Sequence, residues 1–471
     1  MSDSSPEAAD TASLRSTIGQ ALRGAHLDYT SMPLGRSILV LAVPMVLETS
    51  MQSLFAVCDI YFVSKLGPNA VAGVGITEAL LSIIFAIGLG VAMGTTATVA
   101  RRIGEKNREG ASRVAAQALV LGVVISLLMG IPGAIFAEDL LALMGADAAV
   151  QEAGRGYTAF MMGGSGTILL LFIINAAFRG AGDAMLALKA LALANFANII
   201  LDPILIFGLG PIPAMGVTGA AIATNLGRAL GVSYQLHQLF RGNGRIRITW
   251  RDMGFDGAVV SRLLDVSSKA MMQYFVITTS FTGMIRVIAP YSADALAGYT
   301  IAVRVIVFVL LPAWGLSNAA ATLVGQNLGA QQPERAERAV WFTAHCNAVF
   351  LGSVAVIFFI LAPQLMRLFT DVDAVIAIGA QCLRTVSCGY LFMAYAMIMV
   401  AAFNGSGDTT TPTWVNFWCH WCLKIPLAYV LTWPLGWGPF GVFLAIPTAE
   451  TAVAISMTLL FRRGGWKHRE I

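Results

Sequence analysis

The chain alternates between long apolar runs and short polar breaks over most of its 471 residues. A bilayer core about 30 Å thick needs roughly 20 mostly apolar residues for each helical crossing, and each run is about that long. Backbone groups in lipid must be hydrogen-bonded locally, so such runs indicate helices. The pattern predicts twelve spans: 37–63, 71–99, 114–136, 154–178, 184–206, 216–240, 266–288, 297–324, 339–362, 379–403, 410–432 and 441–462.

The polar stretches divide the chain into five predicted parts. Residues 1–35 form a polar tail that lacks the apolar core and cleavage site of a secretory signal. Within this tail, residues 14–27 fit either a surface helix or a loosely ordered segment. The other parts are a first lobe at 36–240, a linker at 241–265, a second lobe at 266–462 and a tail at 463–471.

Lysine and arginine are concentrated in the even-numbered connections between spans. The members are Arg101, Arg102, Lys106, Arg108, Arg113, Arg179, Lys189, Arg241, Arg245, Arg247, Arg251, Arg262, Arg335 and Arg338, and the final tail is basic as well. Positively charged loops are retained on the cytoplasmic side, so this bias predicts that both termini are cytoplasmic. We therefore expect a multi-pass protein of the inner or plasma membrane.

The composition excludes several classes of protein. Hydrophobic residues make up 57% of the chain and charged residues only 12%, against about 25% in soluble proteins. The net charge of +4 is spread over loops, so we expect no nucleic acid partner. Cys419 and Cys422 match C-x-x-C but have no second ligand pair, and no catalytic motif is found. We expect a monomer that is not an enzyme and contacts membrane lipids.

The two halves of the chain are similar to each other. Ala177 begins A-F-R-G-A-G-D and Ala402 begins A-F-N-G-S-G-D, so the two motifs are related by an offset of 225 in the numbering. The pairs at 70 and 295, 103 and 328, and 216 and 441 have the same offset. This constant offset indicates duplication of a six-span unit. Because six is even, the halves are parallel repeats, an arrangement in which transporters bind substrate between the halves and rock one against the other.

Ionisable residues inside the spans differ between the halves. The first half has Glu48, Asp59, Glu78 and Asp202, whereas the second has Lys269, Arg286, Arg304 and Lys424, with Glu450 as its main acid. Carboxylates inside a membrane are costly and usually mark ion or proton pathways. A proton or cation site, with Na⁺ as one possible ion, is therefore expected in the first half.

Helical spacing groups the polar residues of the first half. Glu48, Gln52 and Asp59 share one face of the first span, and Asn195, Asn198 and Asp202 share one face of the fifth. Asp59, Asp202 and Thr224 are expected at similar depth toward the outer side, so their oxygens can converge on one small cation. The candidates for the substrate cavity are Glu48, Gln52, Asn175, Asn195, Lys269, Arg304 and Glu450. For Glu48 and the basic residues, structural pairing is an equally open alternative.

Several motifs are similar to those of one transporter family. They are Gln52 to Asp59 with 60–68 and 70–75, then 100–104, 178–183, 198–203 and 324–330. Together they resemble the multidrug and toxic compound extrusion (MATE) family, most closely its DinF-like and archaeal branch. That branch uses residues that match Asp59, Asn198, Asp202 and Thr224. The sodium-driven branch also uses acids in spans seven and ten, which this chain lacks.

The resemblance implies a V-shaped pair of six-helix lobes that exports drugs and metabolites in exchange for H⁺ or Na⁺. No cofactor other than the coupling ion is expected. Small cationic, amphipathic compounds are the expected substrates. A lipid-linked saccharide flippase of the same superfamily is the alternative, because Lys269, Arg304 and Lys424 would suit an anionic head group.

Overall fold

The computed structural model describes residues 14–24, 27–242 and 244–469, except for the side chains of 14–16, 22–23 and 53–60. These residues form helices and no β-strand. The first half contains α1 (Leu14–Arg23), α2 (Leu34–Val63), α3 (Pro68–Gly104), α4 (Arg108–Ile135), α5 (Ala137–Leu143), α6 (Ala148–Gly163), α7 (Ser165–Ala181), α8 (Ala184–Phe207) and α9 (Gly216–Arg241). The second half contains α10 (Gly257–Ile288), α11 (Ala293–Gly329), α12 (Pro333–Arg367), α13 (Asp373–Ser387), α14 (Tyr390–Ser406), α15 (Thr410–Asn416), a π-helix (Phe417–Lys424), α16 (Ile425–Thr432) and α17 (Pro439–Arg462).

These helices form the twelve predicted transmembrane spans, six in each half. Within the described residues, seven single helices are long and apolar enough to cross a membrane, and the bent pairs α6–α7 and α13–α14 add two more. The remaining spans are α9, α10 and the continuous α15–π-helix–α16 segment. The all-helical fold with two parallel repeats is therefore confirmed. The tail prediction for residues 1–13 lies outside the described residues.

Four local features differ from the predicted spans. The span predicted at 154–178 bends by 41° near Gly164, and that at 379–403 bends by 57° near Gly389. A β-carbon at Gly389 would lie 2.5 Å from Pro447, so the missing side chain lets α17 approach this bend. The span at 410–432 contains the π-helix, and the short helix α5 follows the third span. Apolar periodicity carries no signal for any of these features.

The two lobes pack closely at one face of the bundle. We call this the terminal face; it holds the start of α2, the ends of α3 and α11, and Arg469. A β-carbon at Gly104 of α3 would collide with the carbonyl of Gln326 of α11, and one at Gly315 of α11 would lie 2.6 Å from Val46 of α2. Glycines at these positions let the backbones of the two lobes touch.

Toward the opposite face the lobes diverge. Ile83 lies seven residues before Gly90 of α3, which touches Met271 of α10, so both share the side of α3 that faces the second lobe. Phe308 lies seven residues before Gly315 on the matching side of α11. Ile83 is nevertheless 56% exposed and Phe308 55% exposed. The cleft between the lobes is therefore closed at the terminal face and open at the other.

A short segment before α2 also joins the lobes at the terminal face. The hydroxyl of Tyr29 donates a hydrogen bond to the carbonyl of Gly182 in the first lobe, at 3.0 Å. The guanidinium of Arg335 in the second lobe donates to the carbonyl of Tyr29 at 3.1 Å. At least one of these two contacts must therefore break when the lobes separate at this face.

Replacing Gly104 with alanine is expected to destabilise this closed arrangement. The added methyl group meets the backbone of Gln326, which cannot rotate away, and overpacking of this kind costs about 1–3 kcal/mol. The matched control is Gly75→Ala, also in α3, where no atom lies within 4 Å of the new β-carbon. Thermal unfolding of the purified protein in detergent measures the effect. Equal unfolding temperatures for both variants would contradict the proposed packing.

Candidate functional site

Three of the four predicted ion-site residues come together between α8 and α9. The amide nitrogen of Asn198 donates to Asp202 Oδ1 at 3.1 Å and to Thr224 Oγ1 at 3.3 Å. All three residues are 0% exposed. Asn198 and Asp202 are one helical turn apart on α8, so their side chains point the same way. The structure therefore assembles a carboxylate, an amide and a hydroxyl in one buried cluster.

Glycine explains why α9 approaches α8 so closely at this point. A β-carbon at Gly227 of α9 would lie 2.7 Å from the carbonyl of Ala194 and 3.2 Å from the β-carbon of Asn198. Gly227 lies three residues after Thr224, so the same close approach brings the threonine hydroxyl to Asn198. The site depends on this contact between α8 and α9.

Asp59, the fourth predicted residue, lies outside the described side chains. Its helix α2 runs without a break through residues 53–60, but nothing is described of the side chains there. The placement of Asp59 in the site stays a prediction.

The donor set fits a small cation or a proton. Carboxylate, amide carbonyl and hydroxyl oxygens are the ligands that hard cations prefer. Asn198 Oδ1 is buried and has no hydrogen-bond partner among the described residues, so it is available as a further oxygen ligand. The carboxylate of Asp202 can also bind a proton without these other ligands. The residues Asn198, Asp202 and Thr224 therefore fit either Na⁺ or H⁺.

A second buried cluster surrounds Glu48 of α2. Arg179 of α7 forms an ion pair with Glu48 Oε1 at 2.7 Å, and Asn175 donates to the same oxygen at 3.1 Å. Gln235 of α9 donates in turn to Asn175. The cluster ties α2, α7 and α9 together inside the first lobe.

The placement of Arg179 in the fourth connection between spans was wrong. Its side chain lies within α7 and is 9% exposed. The repeat gives the sequence signal for this role, because the matching position in the second half is the uncharged Asn404. Because only the first half has an arginine at this position of the repeat, that arginine is a candidate to form an ion pair with an acid of the same half.

The predicted cavity residues of the first half are mostly buried in this conformation. Glu48, Asn175 and Asn195 are all at most 1% exposed, and Asn195 donates to the carbonyl of Met51 at 2.8 Å. Gln52 is half-buried. Glu48, Asn175 and Asn195 therefore hold helices together here instead of presenting a surface to a substrate.

The candidates of the second half occupy three different surroundings. Lys269 forms an ion pair with Asp265 at 2.7 Å, one turn away on α10. Arg304 is exposed and lies eleven residues before Gly315 on the side of α11 that faces the first lobe, so it borders the open cleft. Glu450 is half-buried on α17, which packs against the π-helix that carries Lys424. Of these three candidates, Arg304 is therefore the one that a solute in the cleft can reach directly.

The Glu48–Arg179 pair gives a prediction about stability. Arg179→Met leaves a buried carboxylate without its cation, which costs about 3–5 kcal/mol, and adding Glu48→Gln should recover part of this loss. The matched control is Arg155→Met, because the Arg155–Glu138 pair is 68% and 54% exposed and is worth at most about 1 kcal/mol. Thermal unfolding in detergent measures all three. A single Arg179→Met variant as stable as the control would contradict the assigned pairing.

Comparison with known proteins supports one family for the whole chain. The family model MatE matches residues 44–204 and again 270–430, once in each half. A probable multidrug resistance protein NorM of Thermotoga maritima is 25% identical over 442 residues, covering 93% of this chain and 94% of that protein. An FAD transporter of Shewanella oneidensis is 26% identical over 433 residues, covering 92% of this chain and 95% of that protein.

A solved structure agrees with this result. It is described as the outward-facing conformation of a multidrug resistance MATE family transporter of the MOP superfamily, and it superposes with a TM-score of 0.86 at 26% identity. The superposition covers 94% of this chain and 97% of that chain. Its fold and the repeated family match cover both lobes. The chain therefore belongs to the MatE family, whose members are membrane transporters and not enzymes.

Proposed function

We propose that this protein is a secondary active antiporter that exports small organic compounds, often cationic and amphipathic, in exchange for H⁺ or Na⁺. The observation that best supports this proposal is the buried Asn198–Asp202–Thr224 cluster. The cluster lies toward the face at which the cleft between the lobes is open. The name of the Thermotoga maritima relative, a probable multidrug resistance protein, agrees with export of such compounds. The coupling ion is the one bound group that the proposal requires besides the substrate.

The depth of the cluster suits an ion that arrives from outside. Asp202 lies five residues before the end of α8 at the open face, which is about 8 Å along the helix axis. The basic connections cluster at the terminal face, so we assign that face to the cytoplasm, together with both termini. The conformation described here is then outward-facing. The site lies near the outer surface of the membrane, within reach of external protons or sodium.

In this proposal, the substrate and the coupling ion are exchanged because they compete for the first lobe. When a cation or proton reaches Asp202, the charge of the carboxylate is neutralised and the hydrogen bonds from Asn198 rearrange. Because α8 and α9 pack closely at Gly227, this rearrangement shifts both helices and favours release of the substrate outward. Rocking of the lobes at 36–240 and 266–462 then separates the terminal face and returns the site inward. We propose that one chain, as a monomer surrounded by lipid, performs the whole cycle.

Arg304 favours a second candidate, transport of an anionic substrate. It is a cation on the side of α11 that borders the cleft, and one relative is named an FAD transporter. A lipid-linked saccharide flippase would use such a cation to hold a pyrophosphate. In competition assays, displacement of a fluorescent cation by other cations favours multidrug export, and displacement only by pyrophosphate lipids or dinucleotides favours the second candidate.

Replacing Asp202 with asparagine is expected to abolish ion-driven efflux, because the amide has the same shape but cannot bind a proton or balance Na⁺. The assay is efflux of a fluorescent cation from proteoliposomes under separately imposed pH and sodium gradients. The gradient that drives transport identifies the ion. The matched control is Asp265→Asn, which removes an exposed carboxylate on α10 and should leave efflux near the parental rate. Full ion-driven efflux by the Asp202→Asn variant would refute the assignment.

A further inference from the structure

The first lobe contains a cavity at the terminal face that the proposed cycle does not use. Its volume is about 360 Å³, and it lies where the end of α1 meets the start of α8 and the end of α9. Ala21 of α1 and Val40 of α2 give it apolar walls, and Lys189 of α8 and Arg241 of α9 also line it. A cavity of this size accommodates a molecular group and not only a single ion.

Lys189 and Arg241 give this cavity a positive charge. Neither of them forms an ion pair within the described part of the chain. The acid that lines the cavity, Asp183, is engaged by Arg245, whose backbone nitrogen donates to Asp183 Oδ2 at 2.9 Å and whose Nε lies 3.9 Å from Oδ1. Two cations around one cavity repel each other unless an anion lies between them. The cavity therefore favours a negatively charged group.

An exposed apolar stripe on α8 leads to Lys189. The stripe follows Lys189 at i+4, i+7 and i+11 on one face of the helix, and its members are Leu193, Phe196 and Ile200, all exposed. The buried Asp202 lies on the opposite side of α8, so the stripe faces away from the interior of the lobe. An exposed apolar face on a membrane-spanning helix is suited to contact with acyl chains.

A second stripe on α9 leads to Arg241. Leu226 and Leu230 are exposed and share one face of α9 with Arg241, at i, i+4 and i+15. The exposed positions between them on that face, Ser233 and His237, are polar and lie closer to the terminal face. This face of α9 is therefore apolar deep in the membrane and polar where the head-group region begins.

The two stripes lie on the same side of the α8–α9 pair. The helices pack where a β-carbon at Gly227 of α9 would lie 2.7 Å from the carbonyl of Ala194 of α8. Each stripe has a residue one position before this contact, Leu193 before Ala194 and Leu226 before Gly227. Because the helices are antiparallel, the same rotation of about 100° per residue turns both stripes to one side of the pair. Lys189 and Arg241 are therefore reached from a single exposed surface.

We propose that this cavity binds the head group of an anionic phospholipid from the cytoplasmic leaflet, whose acyl chains lie along the stripes of α8 and α9. The phosphate lies between Lys189 and Arg241, because basic pockets between membrane helices on this side attract anionic head groups. Side chains lean toward the start of their helix, so Lys189 reaches toward the terminal face and Arg241 leans back into the membrane. The two cations thereby meet at a similar depth.

The lipid site goes beyond the proposed antiport function. It depends on the assignment of the terminal face to the cytoplasm, and on neither the exported compound nor the coupling ion. Tyr29 and Gly182, which are hydrogen-bonded to each other at 3.0 Å, also line the cavity. A head group in the cavity therefore packs against this contact and stabilises the folded protein in proportion to its occupancy.

The test measures lipid binding to the purified full chain in detergent. Native mass spectrometry gives the affinity for phosphatidylglycerol and for phosphatidylcholine of equal chain length. We expect phosphatidylglycerol to bind more tightly and to raise the unfolding temperature by more. The variant Lys189→Gln with Arg241→Gln should bind phosphatidylglycerol on the order of 30-fold more weakly, because it lacks both cations that attract the anionic lipid.

Two matched variants and one competitor serve as controls. Arg108→Gln with Arg251→Gln removes two exposed cations from other connections at the same face, outside the cavity, and should keep the parental affinity. Lys189→Arg with Arg241→Lys preserves both charges and should bind within a few-fold of the parent. Inorganic phosphate at millimolar concentration should not displace the lipid, because it lacks the acyl chains that contact the stripes.

Three results would overturn the lipid site. They are equal affinity for the two lipids, parental affinity for phosphatidylglycerol in the Lys189→Gln, Arg241→Gln variant, and displacement of the lipid by inorganic phosphate, which would identify a phosphate site without a lipid. Both replaced residues are exposed, so we expect this variant to fold. If it does not, the two single variants provide the test, and parental affinity in both of them contradicts the proposal.

Discussion

A charge inside a bilayer must be balanced nearby, and this constraint explains the position of the buried acids in this chain. Glu48 is balanced by Arg179 within the first lobe. Glu450 is half-buried on α17 of the second lobe, which packs against the π-helix that carries Lys424. Asp202 lies with Asn198 and Thr224 close to the open face. Glu48 is therefore paired within the chain, and we assign the exchangeable ion to Asp202, which lies beside the amide of Asn198 and the hydroxyl of Thr224.

Within the first lobe, the Glu48 cluster has a structural role, and we assign the transport role to the Asp202 cluster. Arg179 belongs to the A-F-R-G-A-G-D motif, and its carbonyl accepts a hydrogen bond from Thr322 of the second lobe at 3.2 Å. Gln326 donates to the carbonyl of Gly180 at 2.9 Å. The Glu48 cluster therefore holds the backbone that the second lobe touches when the terminal face is closed. The ion site lies farther along the membrane, where the lobes are apart, so binding there does not compete with this packing.

Much of the fold follows from the sequence because the bilayer allows few choices. Span length, local hydrogen bonding and the internal repeat together determine twelve helices in two parallel halves. Asn198, Asp202 and Thr224 were predictable as one cluster, because helical spacing puts the first two on one face and the family motif adds the third. Placement in the DinF-like branch, the role of Asp59 and the choice of ion stay predictions.

The features that the sequence did not predict depend on tertiary contacts, which cannot be identified from a single sequence. Arg179 follows an apolar run and has the position of a loop residue; the unmatched Asn404 in the repeat is the sequence signal against that placement, and the partner Glu48 is identified only by the structure. Glu48 and Asn175 have the composition of cavity residues, yet neighbouring helices bury them. The π-helix lies in an aromatic-rich apolar run that has the pattern of an ordinary span, so the sequence does not mark it.

The central claim is that substrate and coupling ion compete through the Asp202 site. Its most direct test adds a transported cation to purified protein in weakly buffered detergent solution, while a pH indicator and a sodium electrode record any ion that is released. The account predicts release of one kind of ion in proportion to the substrate bound by the parent, and no release from the Asp202→Asn variant. Equal release from both proteins, or substrate binding by the parent without any release, would contradict it.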